Sequence, residues 1–77
     1  MKINIKTLSG VQHSFNVEEN DKIEFLKKQV EEKVGIPPVQ QRLVFSGKIL
    51  PDDKTVKELG LKANQTIQLI LQLKGGF

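Results

Sequence analysis

The chain opens on a strict alternation, with Met1, Ile3 and Ile5 apolar and Lys2, Asn4 and Lys6 polar. Period two is the signature of a strand with one buried face. After "TLSG" the alternation resumes, with Val11, His13, Phe15 and Val17 in one phase. Gly10 stands where a bulged hairpin loop needs a positive φ, so the segment up to Val17 reads as a β-hairpin. The period then changes. Ile23, Leu26, Val30 and Val34 recur at intervals of three and four, the stripe of an amphipathic helix. Asp21 with Glu24 behind it has the form of a capping box, and Gly35 followed by Pro37 and Pro38 supplies the stop. Phe25 lies off the stripe and is expected half exposed. "QRLVFSGKIL" reads as a strand, a glycine turn and a short strand. "PDDKT" reads as a turn, "VKELG" as a single helical or 3₁₀ turn closed by Gly60, and "TIQLILQL" as the last strand. One sheet with the helix across one face would cover every apolar stripe, which is an α+β arrangement.

Some apolar residues fall outside this scheme. Ile67, Leu69 and Leu71 take the core phase of the last strand, which turns Ile70 outward with Gln68 and Gln72. Leu43 and Phe45 take the core phase of "RLVF", which turns Val44 outward beside Arg42. Leu8 lies on a hairpin loop with little to pack on. One exposed aliphatic residue carries no message, but several on neighbouring elements predict a contiguous patch. Leu8, Val44 and Ile70 are therefore expected together on the face away from the helix, with Arg42, Lys48 and Gln68 at the rim. That rim favours partners with an acidic edge.

Composition narrows the classes. The chain has 77 residues, enough for one domain with a small core. It contains no cysteine, which excludes disulfides and thiol chemistry, and His13 is its only histidine, which excludes a histidine–cysteine metal site. A lone histidine without a nucleophile or metal cluster argues against an enzyme, and no catalytic residue is assigned. The net charge of +3 comes from eleven lysines and one arginine. The lysines are scattered and neither tyrosine nor tryptophan is present, so nucleic acid is not the expected partner. No apolar run approaches the roughly 20 residues that cross a bilayer, and the start of the chain lacks a signal-peptide core, so no membrane association is expected.

Three strings carry a resemblance: "KTLSG" at 6–10, "GIPPVQQRLVFSGK" at 35–48 and "GG" at 75–76. In these, and without a gap along the whole chain, the sequence resembles ubiquitin and its nearest relatives. The resemblance implies a β-grasp fold, a mixed sheet packed on one amphipathic helix. It divides the chain into a ubiquitin-like domain, 1–71, and a flexible C-terminal tail, 72–77, comprising Gln72, Leu73, Lys74, the di-glycine Gly75–Gly76, and Phe77 as a one-residue propeptide; Leu71 leads into that tail.

The resemblance also implies a function. In such modifiers the terminal glycine is adenylated by an activating enzyme, passed as a thioester to enzyme cysteines, and joined to a lysine amine. Gly76 is the expected attachment residue, and Gly76–Phe77 the expected processing site. The implied partners are activating and conjugating enzymes, a ligase, processing and deconjugating proteases, and cullin-type targets. No bound cofactor is expected, ATP being used by the activating enzyme; a monomer in cytoplasm and nucleus fits this role. Lys22, Glu31, Glu32, Ser46 and Lys54 are similar to the Nedd/Rub branch. Val11, Gln29 and Ala63 stand where ubiquitin has chain-building lysines, leaving Lys6, Lys27, Lys33 and Lys48. Gln72 stands where ubiquitin carries an arginine that its activating enzyme reads. A glutamine cannot make that forked, charge-assisted contact, so Gln72 is the expected specificity residue. Phe45 and Leu50 lean towards ubiquitin. A divergent ubiquitin, another ubiquitin-like modifier, and a noncovalent docking domain are the alternatives.

Overall fold

The computed structural model describes residues 1–72. Leu73, Lys74, Gly75, Gly76 and Phe77, and with them most of the expected tail, lie outside the described residues.

The alternating segments form the strands they predict. Strand β1 (Lys2–Lys6) pairs antiparallel with β2 (Gln12–Asn16), Lys6 opposite Gln12 and Ile3 opposite Phe15. Gly10, at φ 91°, closes the loop between them, its N–H donating to Thr7 O. The helix α1 (Ile23–Val34) follows. A 3₁₀ turn, Pro38–Gln40, which periodicity did not reveal, leads into β3 (Gln41–Phe45). Strand β4 (Lys48–Ile49) returns beside β3, and β5 (Thr66–Leu71) is the last of the described strands in chain order. The strand order is β2-β1-β5-β3-β4, with β5 parallel to β1 and antiparallel to β3. A mixed sheet grasping one helix is the expected β-grasp, an α+β fold.

The helix buries Ile23, Leu26 and Val30 against Ile3, Ile5, Leu43, Ile67 and Leu69 of the sheet. Val17, Leu50, Val56 and Leu61 close the core at its ends. Phe25 is half exposed, as its phase predicts. Leu71 departs from expectation. It holds the core phase but is 46% exposed, because the helix does not extend over the end of β5. Phe45 likewise is only partly buried, packed against the rim of the core.

The capping box is also elsewhere. The N-cap of α1 is Lys22, and no side chain caps it. Instead the N–H groups of Ile23 and Glu24 donate to the carbonyls of Lys54 and Asp52 at 3.0 and 3.1 Å. Lys22 and Thr55 form a backbone bridge, so the 52–55 turn does the work of a cap. Asp21 faces backwards, its Oδ2 accepting from Glu18 N–H at 2.8 Å. The reciprocal box occurs at Thr55 and Glu58, where Glu58 N–H donates to Thr55 Oγ1 and Thr55 N–H donates to Glu58 Oε1. Gly35 ends α1 at φ 87°, its N–H donating to Glu31 O.

Candidate functional site

Alternation along each strand places one set of side chains in the core and the other on a face that no element among the described residues covers. The outward set is Lys2, Asn4 and Lys6 on β1, Gln12, Ser14 and Asn16 on β2, Arg42 and Val44 on β3, Ile49 on β4, and Thr66, Gln68 and Ile70 on β5. Register ties them into rows. Gln12, Lys6, Gln68, Val44 and Ile49 lie side by side across the whole sheet, and Arg42 lies opposite Ile70 one step along. The row grades from polar at β2, through the Lys6 ammonium, to aliphatic at β3 and β4. A shallow hollow of about 510 Å³ sits over its middle, lined by Lys6, Val44, Thr66 and Gln68 beside the Ser46–Gly47 turn. Ser46, at φ 53°, and Gly47, at φ 77°, make the tight reversal that brings β4 alongside.

Charge is as divided as polarity. The outward strand positions carry Lys2, Lys6 and Arg42 and not one carboxylate. All nine acidic residues fall in 18–32 and 52–58, in α1 and the loops beside it. Such a face is electrostatically complementary to an acidic surface.

The sequence-predicted site residues are thus distributed unequally. Arg42, Val44, Gln68 and Ile70 come together on adjacent strands. Val44 and Ile70 are half-buried within the sheet surface rather than protruding. Lys48 lies opposite Phe45 at the turn, and lines a second hollow with Ile49, Leu50, Pro51 and Leu59. Leu8 is 79% exposed on the β1–β2 loop. It borders a cavity of about 220 Å³ with Ile36, Leu69 and Leu71, so no strand register links it to the row. Gln72 is exposed, its N–H donating to Gln40 O at 2.7 Å. Gly76 and Phe77 lie outside the described residues.

Ile49 was missed from sequence. It is 55% exposed and opposite Val44, which widens the apolar half of the face. The signal was present: a two-residue Ser46–Gly47 turn fixes the register and puts Ile49 across from Val44. Lys27 was read as one lysine among several, yet it is buried, its Nζ held by Asp52 at 2.6 Å. Lys6, Lys33 and Lys48 are exposed; Lys33 Nζ donates to Ser14 O and lies 5.3 Å from the centre of the Phe15 ring. Glu58 is held below the usual glutamate range, chiefly by the Thr55 N–H on its carboxylate, with the Lys54 charge assisting. Among the described residues no helix is long and apolar enough to cross a membrane.

The described residues thus form a β-grasp body with one sheet face left open, basic and apolar. The ubiquitin family model matches residues 3–74. The chain is 45% identical over 76 residues to the ubiquitin-like protein NEDD8 of Dictyostelium discoideum, covering 99% of each. It is 46% identical over 76 residues to the NEDD8-like protein RUB3 of Arabidopsis thaliana, covering 99% of this chain and 97% of that one. It is 42% identical over 76 residues to the NEDD8-like protein RUB1 of Saccharomyces cerevisiae, covering 99% of each. The chain belongs to the ubiquitin family, and is a ubiquitin-like modifier in class rather than an enzyme.

Proposed function

We propose that this chain is a Nedd/Rub-type modifier, conjugated through Gly76 to lysines of targets such as cullins. The observation that carries the reading is the run "KGGF" at 74–77, in a chain aligned over nearly its whole length with NEDD8-type relatives. The carbonyl of Gly76 is in amide linkage to Phe77, so a processing protease must first hydrolyse that bond. The freed carboxylate attacks the α-phosphorus of ATP on the activating enzyme, and pyrophosphate leaves. A cysteine thiolate attacks the acyl carbon of the adenylate, and AMP leaves. After transfer to a conjugating enzyme, and with a ligase, a target lysine amine displaces the thiol and forms the isopeptide bond. Glycine suits each acyl transfer, because a residue without a Cβ passes a narrow cleft and leaves its carbonyl open to attack. The chain itself binds no cofactor; ATP belongs to the activating enzyme. The role fits a monomer working in cytoplasm and nucleus, released from targets by deconjugating proteases.

Gln72 sets the branch. Its neutral amide suits an activating enzyme that does not demand an arginine, and Arg42, Val44, Gln68 and Ile70, with Leu8 and Lys48 beyond them, supply the partner-binding face. Phe45 and Leu50 favour a second reading, a divergent ubiquitin. The test supplies the full chain, the form ending at Gly76, and Gly76→Ala with Phe77 kept, to purified Nedd-type and ubiquitin-type activating enzymes. The Gly76-ended form should form a thioester with the Nedd-type enzyme at once, the full chain only after protease, and the Gly76→Ala form should resist cleavage. Gln72→Arg should shift charging towards the ubiquitin enzyme by about ten- to a hundredfold. Charging of the uncleaved chain, or of the processed wild type by the ubiquitin enzyme alone, would overturn the reading.

A further inference from the structure

The residue that follows β5 is held by a backbone carbonyl, and that carbonyl sits beside a buried side-chain anchor. Gln72 N–H donates to Gln40 O at 2.7 Å, one residue past the end of β5. Gln40 ends the 3₁₀ turn, its own N–H donating to Pro37 O at 2.9 Å. The next residue, Gln41, opens β3 opposite Leu71 and is only 2% exposed. Its Nε2 donates at 2.8 Å to Lys27 O, within α1, and at 2.8 Å to Ile36 O, in the loop after it. One N–H of the amide thus fastens β3 to the helix, and the other closes the 36–41 loop on itself. Its Oε1 meets no donor among the described residues. A buried acceptor without a partner is destabilising, and an unbranched apolar side chain of the same length would avoid that cost. Filling the core does not by itself call for a glutamine here; holding the loop in one place does.

We propose that Gln41 is a positioning residue for the C-terminal tail. By locking the 36–41 loop onto α1 it fixes the Gln40 carbonyl, and through that carbonyl the position of Gln72. The inference rests on the reading of that tail as the conjugating arm. An arm pinned at its root has fewer conformations to surrender when Gly76 enters an enzyme cleft. Releasing the pin leaves Gln72 to be ordered as well. The loss then falls on binding and raises KM, while the chemistry on a correctly seated Gly76 is unchanged and kcat holds.

The test uses Gln41→Met, which keeps length and shape but removes both donors, with Gln41→Leu as a second variant should the first fold poorly. Amide hydrogen exchange on the full chain is read first. Exchange at Gln72 should accelerate about tenfold while Ile67 and Leu69 are unchanged. Equal acceleration at Ile67 and Leu69, or none at Gln72, would overturn the proposal, since Gln41 would then be a structural residue only. Activation of the Gly76-ended form is read second. Gln41→Met should raise KM about three- to tenfold with kcat unchanged. Gln72→Pro deletes the N–H itself, and proline is tolerated after a residue in extended conformation; Gln72→Ala, which keeps the N–H, is its reference. In the Gln72→Pro background Gln41→Met should raise KM no further, whereas in the Gln72→Ala background it should act as in the wild type. Multiplying effects in the Gln72→Pro background would also overturn the proposal. If no form is activated, the modifier reading has failed, and exchange at Gln72 alone decides whether Gln41 fixes the position of Gln72.

Discussion

The two faces of the sheet are built from the same strands yet answer to different demands. On β5, Ile67 and Leu69 are buried beneath the helix, and Gln68 and Ile70, interleaved with them, lie on the open face. On β3, Leu43 is buried while Arg42 and Val44 look outward. The covered face is apolar save for Gln41, whose amide N–H groups are both hydrogen-bonded, and His13 at its edge, because an unpaired polar group there would be stranded from water. The open face has no such obligation, and it carries basic and aliphatic side chains with no acid among them. A face that is free to be polar throughout and keeps Val44, Ile49 and Ile70 is the face proposed above to receive partners. In a strand of this kind, fold and recognition are separated by one residue of phase.

That separation can be broken most sharply at β5 and β3. Leu69→Ala should cost about 2–5 kcal/mol in chemical denaturation, because it opens a cavity under the helix. Val44→Asp should cost about 1 kcal/mol or less and yet abolish partner binding. If Val44→Asp destabilised the fold as much as Leu69→Ala, Val44 would be core and the two faces would not be distinct.

The next effect tests the covered side where it holds a charge. Asp52→Ala leaves the Lys27 ammonium, whose side chain is 9% exposed, without its ion partner. The expected cost is about 1–3 kcal/mol, and Lys27→Met should cost less, since it removes the charge together with the need for a partner. Denaturant midpoints for the two variants give the comparison; equal losses would show that packing of the lysine stem, not its charge, matters.

A smaller effect sharpens the open face. Ile49→Lys should change stability by no more than about 0.5 kcal/mol. It should weaken, by about three- to tenfold, any partner that Val44→Asp abolishes, as calorimetric titration would measure. Undiminished affinity would confine the apolar patch to Val44 and Ile70.

The smallest lies off both faces. The carboxylate of Glu58 is held below its ordinary value by the Thr55 N–H. A depressed folded value means that the stabilisation is complete above the unfolded glutamate value of about 4.3, and is lost as pH falls through the lower folded one. The melting temperatures of wild type and Glu58→Gln should therefore differ slightly near neutrality and converge at low pH. A difference that persisted in acid would locate the effect in the hydrogen bond rather than the charge.

Much of this was legible in the order of residues. Alternation and the three–four stripe are local properties, so β1, β2, α1, β3 and β5 follow from them, as does the outward phase of Val44 and Ile70. What escaped depends on contacts between distant segments. Asp21 and Glu24 have the spelling of a cap, but Lys54 and Asp52, some thirty residues on, supply the acceptors that α1 uses. Thr55 and Glu58 spell the same motif and do form it. Leu71 has the phase of a core residue and lacks only a helix above it. Lys27 lies beside the buried stripe, and nothing local says that Asp52 will come to meet it. Ile49 could have been placed by counting across the Ser46–Gly47 turn.

The strand order has a further consequence, for the birth of the molecule rather than its use. The strand made last, β5, occupies the centre of the sheet, between β1 and β3. While a ribosome is still extending the chain, the β1–β2 hairpin and the β3–β4 hairpin have no common neighbour, and the helix has no floor of Ile67 and Leu69 to settle on. The contacts that complete such a chain span nearly its whole length, so its fold closes only when the last strand is available. It also checks itself. A polypeptide cut short before β5 lacks the keystone of its sheet and, by the same omission, the di-glycine that lies beyond, so that every chain carrying the proposed attachment residue also carries the strand that completes the fold.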